Sequence, residues 1–136
     1  MLFRSGFIGS PKMNFLEAEV VEVAGKAVTL RLVNQGNVQL RLPLTGPLPA
    51  AGSTVTLGIR PEHFVEAGAG DIDLPLSLDV VEHLGSTSFV YANTGAGEPI
   101  IIERDGAREL DGQTALTVSI RADRAFLFDH AGNRLR

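Results

Sequence analysis

The sequence contains no cysteine, so disulfides, thiolate metal sites and thiol nucleophiles are excluded. Tryptophan is also absent, and lysine occurs only at Lys12 and Lys26. With a net charge of −4, the chain lacks the clustered Lys and Arg that displace counterions along a phosphate backbone, which argues against a nucleic-acid groove. Long apolar runs are missing too. The opening "MLFRSGFIGSPKMNF" is broken by Arg4, two glycines and Pro11, leaving neither a signal-peptide core nor a membrane span. No GxxxxGK[ST] loop occurs, and no GxGxxG leads from a strand into a helix, so neither phosphate-cradling device is encoded. His63, His83 and His130 have no metal-ligand spacing and no HExxH partner. Neither "GSTSF" nor "GSPKM" supplies the strained turn and activating base of a serine nucleophile.

What is present is alternation. The 136 residues are 44% apolar, enough for one hydrophobic core. Val28, Leu30 and Leu32 in "KAVTLRLVN" and Val38, Leu40 and Leu42 in "NVQLRLP" each line one face, with "QG" between them, so a β-hairpin is predicted. Val55, Leu57 and Ile59 repeat the pattern, as do Leu116, Val118 and Ile120; all twelve residues are expected to face inward. In "DIDLPLSLDVVEHLG" the period of two runs from Ile72 through Leu74, Leu76 and Leu78 to Val80, and Pro75 inside it suggests an edge position or a bulge. About eight strands with glycine-rich turns predict an all-β fold, an OB-like small barrel or sandwich. The one helical turn expected is at "PEHF", with Pro61 at its first position.

The two halves resemble each other. "EVVEVAG" at 19–25 matches "DVVEHLG" at 79–85, Gly46 and Gly52 recur as Gly106 and Gly112, and "VTLGIRPE" at 55–62 returns as "LTVSIRAD" at 116–123. Two related half-repeats, about 16–66 and 72–130, follow from this. Each half, near 60 residues, would be marginal alone, so the halves are expected to complete one another's barrel.

Each half ends in a charged knot: Arg60, Glu62 and His63 in the first, Arg121 and Asp123 in the second. One reading is an exposed ion pair closing a strand; the other is a docking surface at the barrel end. Glu17, Glu19 and Glu22 read as the solvated face of a strand rather than an acid/base pair. Phe15, Phe64, Phe89, Phe126 and Phe128 could stack bases, but the acidic balance favours core or interface packing.

Two motifs in order, "FIGSPKMNFL" (7–16) and "LGIRPEHF" (57–64), resemble the C-terminal regulatory region of carbohydrate-importer ABC ATPases, the family that includes the maltose and glycerol-3-phosphate transport ATPases. The resemblance runs to the final "FLFDHAGNRL". It implies that 1–15 is a crossover from an ATPase domain and 16–136 a transport-associated OB-type regulatory domain, the chain being an excised piece of a longer protein. It further implies a homodimer, an ATPase domain in cis that holds ATP and magnesium, membrane permease subunits and a cytoplasmic regulatory protein as partners, and a cytoplasmic location at the inner membrane. No cofactor, catalytic residue or nucleic-acid partner is expected for this chain itself. Related barrels that hold small oxyanions make a ligand-binding module the alternative. No Ser/Thr/Lys/Gly cluster common to both halves builds an oxyanion nest, however.

Overall fold

The computed structural model describes residues 13–94, 99–106 and 108–136, so 1–12 of the expected crossover lies outside the described residues. Among the described residues eleven strands follow one another: β1 (Asn14–Ala24), β2 (Ala27–Leu32), β3 (Gln39–Pro43), β4 (Thr54–Ile59), β5 (Val65–Glu66), β6 (Ile72–Leu84), β7 (Thr87–Asn93), β8 (Ile100–Asp105), β9 (Ala115–Ile120), β10 (Phe126–Asp129) and β11 (Arg134–Leu135). They form two antiparallel sheets, in the orders β11-β10-β4-β1-β2-β3 and β5-β9-β6-β7-β8. The architecture is all-β.

The repeat in the sequence is a repeat in space. In the first half, the start of β1 pairs with β4 and its end with β2, which pairs with β3. The second half reproduces this with β6, β9, β7 and β8. Tight turns at Gly25 and Gly85, with φ of 61° and 69°, join the long strands to their hairpin partners, a conformation glycine adopts without a Cβ penalty. The expected mutual completion takes the form of an exchange: β5, from the first half, pairs with β9 of the second, while β10, from the second, pairs with β4 of the first.

Alternation sets the core. Ten of the twelve residues expected inward are buried, and Val38 and Leu116 are half-buried against the same cluster. Pro75 sits where β6 has only β9 beside it, because pairing with β7 starts at Ser77. Its missing N–H therefore costs no ladder bond to a second neighbour.

The period-two reading of β6 is corrected at its end. Val80 is 56% exposed, because a bulge between Leu78 and Val80 inserts one residue and inverts the phase, so that Val81 turns toward the core instead. A matching bulge lies between Val20 and Glu22 of β1, leaving Val21 and Val23 partly exposed. From bulge to turn, β1 runs over 22–24 and β6 over 80–84. The matched "VVE" letters therefore align the turns and not the bulges.

Leu57 is fully buried at the centre of the first sheet, paired with both Leu16 and Leu127. Leu57→Ala is expected to lower unfolding free energy by about 2–5 kcal/mol in urea titrations. A loss below about 0.5 kcal/mol would place this side chain outside the core.

Candidate functional site

Both charged knots follow one backbone plan. At Arg60 and Arg121 the chain leaves its strand in extended conformation, makes a 3₁₀ turn (Pro61–His63 and Ala122–Arg124), and enters a strand of the opposite sheet. Pro61 occupies the first turn of its 3₁₀ segment, as expected. The first turn packs against β8 and the second against β3, so each knot rests on the other half.

Their side chains differ. Arg121 Nη2 donates to Asp123 Oδ2 at 2.7 Å, the exposed ion pair expected from the spacing. Such a pair contributes about 0–1 kcal/mol. Among the described residues Arg60 and Glu62 make no ion pair; the Arg60 guanidinium carbon instead lies 5.8 Å from the centre of the Phe126 ring, and Glu62 is exposed. His63 is half-buried, with Nδ1 enclosed and unpaired. None of the five residues lines any of three open clefts formed by the described residues, of about 420, 440 and 300 Å³.

Sequence reasoning missed two polar groupings. The Asn14 side chain pairs with the backbone of Ile101 as a strand would: Nδ2 donates to the Ile101 carbonyl at 2.8 Å and Oδ1 accepts from its N–H at 2.8 Å. Nδ2 also reaches the Ile59 carbonyl at 3.2 Å, so one buried amide ties β1 and β4 to β8 of the other sheet. Removing it would leave buried backbone groups unpaired, which is why an amide sits at a position otherwise fit for an apolar residue. No spacing rule points to such a contact across 87 positions.

The second grouping joins His83, Ser88 and Asp111. His83 Nδ1 lies 2.6 Å from Ser88 Oγ, and Nε2 lies 2.8 Å from Asp111 Oδ1. The residue types are those of a hydrolytic triad, but the arrangement cannot act as one. Ser88 is buried, and its hydroxyl donates to the Gly106 carbonyl at 2.6 Å, so its proton is committed to the backbone and the oxygen is sealed from any substrate. It is a clasp holding the β6–β7 hairpin to the loop before β9. Among the described residues, no group of three or more His, Cys, Asp or Glu side chains could hold a metal ion.

Two ionisable groups are perturbed. Burial, with the Glu82 carboxylate next, pushes the Tyr91 phenol above its ordinary range. The Asp129 carboxyl is held below its ordinary value chiefly by the Asn133 N–H, with the Asn133 side chain and the Ala131 N–H adding to it, and these bonds close the β10–β11 turn.

Comparison with known proteins gives two family matches: the MalK OB fold domain over residues 9–64 and the TOBE domain over 57–128. They overlap on "LGIRPEHF", the first knot. The chain is 49% identical to the lactose transport ATP-binding protein LacK of Rhizobium radiobacter over 140 residues, covering 99% of this chain and 38% of that protein. It is 36% identical to the maltose/maltodextrin import ATP-binding protein MalK of Vibrio cholerae over 98% of its length, and 34% identical to that of Salmonella typhi over 98%. It spans 36% of either protein, so this chain corresponds to just over a third of these relatives. Among solved structures, the molybdate-bound cytoplasmic protein ModG superposes with a TM-score of 0.64 at 16% identity, covering 88% of this chain and 95% of that one. At that identity the likeness is one of fold.

Because the Asp129 carboxyl is depressed below its ordinary 3.8, its contribution to the β10–β11 turn is fully present above that value and is lost as pH falls through the lower, folded-state value. Asp129→Ala is expected to reduce stability at pH 6, and the difference from the native chain should shrink below about pH 4. Thermal melts of both chains from pH 7 to pH 2.5 check this; a gap that widens on acidification would reverse the sign.

Proposed function

This chain belongs to the family of TOBE domains that accompany the MalK OB fold, and from that premise we propose that it is the regulatory and dimerisation part of an ABC importer's ATP-binding subunit. The transported class is a sugar, polyol or glycerol phosphate. The observation that carries this reading is the 49% identity to a lactose transport ATP-binding protein across nearly the whole chain. Its mechanical role is that of a rigid two-half body, placed by a crossover on an ATPase domain and presenting surfaces to a sister copy and a cytoplasmic regulatory protein. In the assembled subunit it stays cytoplasmic and meets the membrane only through the permease.

ATP and magnesium belong to the ATPase domain. The residues here do not fit a nucleotide, since the sequence has no phosphate-cradling loop and Lys26 stands on an exposed hairpin turn. The fold shared with ModG brings no ligand with it, so the oxyanion reading has no observation of its own to support it.

Self-association is assigned to the knot surface, with Arg60, Glu62 and His63 on one side and Arg121 and Asp123 as their repeat-related counterparts. A two-fold contact suits identical domains, because one self-complementary patch serves both copies. Loss of the other contacts in the whole subunit makes the pairing of this part weak.

Two measurements test the reading. Grafting this chain in place of the corresponding part of a LacK-type ATP-binding subunit is expected to preserve sugar uptake and permease-stimulated ATP hydrolysis; a graft that folds yet supports neither would overturn the assignment. Sedimentation of the chain over a concentration series is expected to show a monomer to dimer shift, weakened about tenfold or more by Arg60→Glu. An unaltered dimer in that variant would move the interface away from the knots.

A further inference from the structure

The clasp of His83, Ser88 and Asp111 belongs to one half only. His83 and Ser88 face each other across β6 and β7 where Val23 and Val28 do so across β1 and β2, and the match of Gly52 with Gly112 puts Ala51 at the place of Asp111. The first half builds the same hairpin with apolar side chains, so the fold does not require the polar set. Ser88 is as deeply buried as Val28, and a hydroxyl there is costly unless it is bonded.

Counting hydrogens fixes the charge of the clasp. The Gly106 carbonyl can only accept, so the single hydroxyl proton of Ser88 is directed to it at 2.6 Å. Toward His83 Nδ1, also 2.6 Å away, Ser88 Oγ therefore accepts, and Nδ1 carries a proton. Nε2 lies 2.8 Å from Asp111 Oδ1, and an ionised carboxylate only accepts, so Nε2 carries a proton as well. The imidazolium makes all three contacts together; a neutral ring gives one up. Burial decides which. Ser88 is sealed in the sheet, whereas the Asp111 side chain is 55% exposed and can turn to water, so the loss falls on the bond from Nε2 to Asp111.

That bond ties the exposed loop 111–113 to β6. On either side the chain is anchored: Leu110 is buried, and the Thr114 carbonyl accepts from the Leu78 N–H at 3.0 Å. Leu78 and Val81 on one side, and Leu110, Asp111 and Thr114 on the other, line the open cleft of about 420 Å³ between the bulged part of β6 and this loop. We propose that His83 is a pH-sensitive latch: protonated, it holds the loop 111–113 against β6, and as pH rises and the ring loses a proton, the loop is released and the cleft opens. Histidine is the side chain that ordinarily changes charge between about pH 5 and 8.

Other charges around the ring stand apart from it. Arg104 ends the row of His83 and Ser88 on β8 and lines a different cleft with Glu109, and Arg108 is exposed on the turn before the loop. Asp79, bonded to Asn93, stands across the cleft, and Glu82 lies on the other face of β6, bonded to Tyr91. Among the described residues Asp111 alone forms an ion pair with the ring. The latch adds to stability fully while His83 is protonated and ceases to do so as pH rises through its titration, the opposite sense to Asp129. The inference does not rest on the dimer reading and uses no knot residue.

The test is NMR of the isotope-labelled chain from about pH 5.5 to about pH 8.5, reading the His83 ring nitrogens together with the backbone amides. At the acid end both ring nitrogens are expected to carry protons, and the Asp111, Gly112 and Gln113 amides should follow the ring as it titrates. Ala51, Gly52 and Ser53, in the matching turn without a clasp, should stay still. His63 and His130 also titrate, so two variants assign the effect. His83→Val, which copies the first half, and Asp111→Asn, a change at an exposed side chain, should each abolish the pH dependence of the three loop amides. Sedimentation of Asp111→Asn should match the native chain, which keeps this result distinct from failure of the dimer reading. Loop amides that do not move with the ring, that go on moving in either variant, or a His83 ring with one N–H at the acid end would overturn the proposal.

Discussion

The structure depends on a reciprocal exchange. β4 and β9 each pair with a long strand of their own half on one side, and on the other side would expose a row of unpaired N–H and C=O groups. The exchange removes that edge: β10 covers β4 and β5 covers β9. A half of about sixty residues is marginal by itself, and the exchange joins two such units into one core. Asn14 adds a polar tie between the sheets, in which a side chain takes the part of a backbone neighbour.

The exchange also decides where the charged knots lie. A chain leaving β4 for the opposite sheet must turn sharply within a few residues, and Pro61, with its fixed φ, starts that turn. Because the crossing strands are structural, the knots can vary in chemistry without disturbing the frame: one holds an internal ion pair, the other lends its arginine to an aromatic ring. The same division applies on the strands, where Gly58 and Phe126 in one half stand against Ser119 and Val65 in the other.

Much of this was legible in the letters. Period-two patterning identified the inward faces of β2, β3, β4 and β9, and the 60-residue correspondence identified the two halves. The failure at Val80 is instructive, because one bulged residue reverses every side chain beyond it while leaving the alternation in the sequence undisturbed. The clasp of His83, Ser88 and Asp111 was invisible for a different reason. Its members stand 5 and 28 positions apart, and nothing in those separations indicates that a hairpin and a distant loop will meet.

By itself the sequence determined an all-β fold of two related halves, and family membership through two ordered motifs. These are carried by local alternation and turn residues, which depend only on neighbours along the chain. Tertiary structure alone decided which half each short strand joins, that Asn14 bridges the sheets, and that Arg60 and Arg134 share one aromatic ring. Those contacts form between segments brought together only when the core closes. Their partners are set by the geometry of packing, which no pattern along the chain encodes.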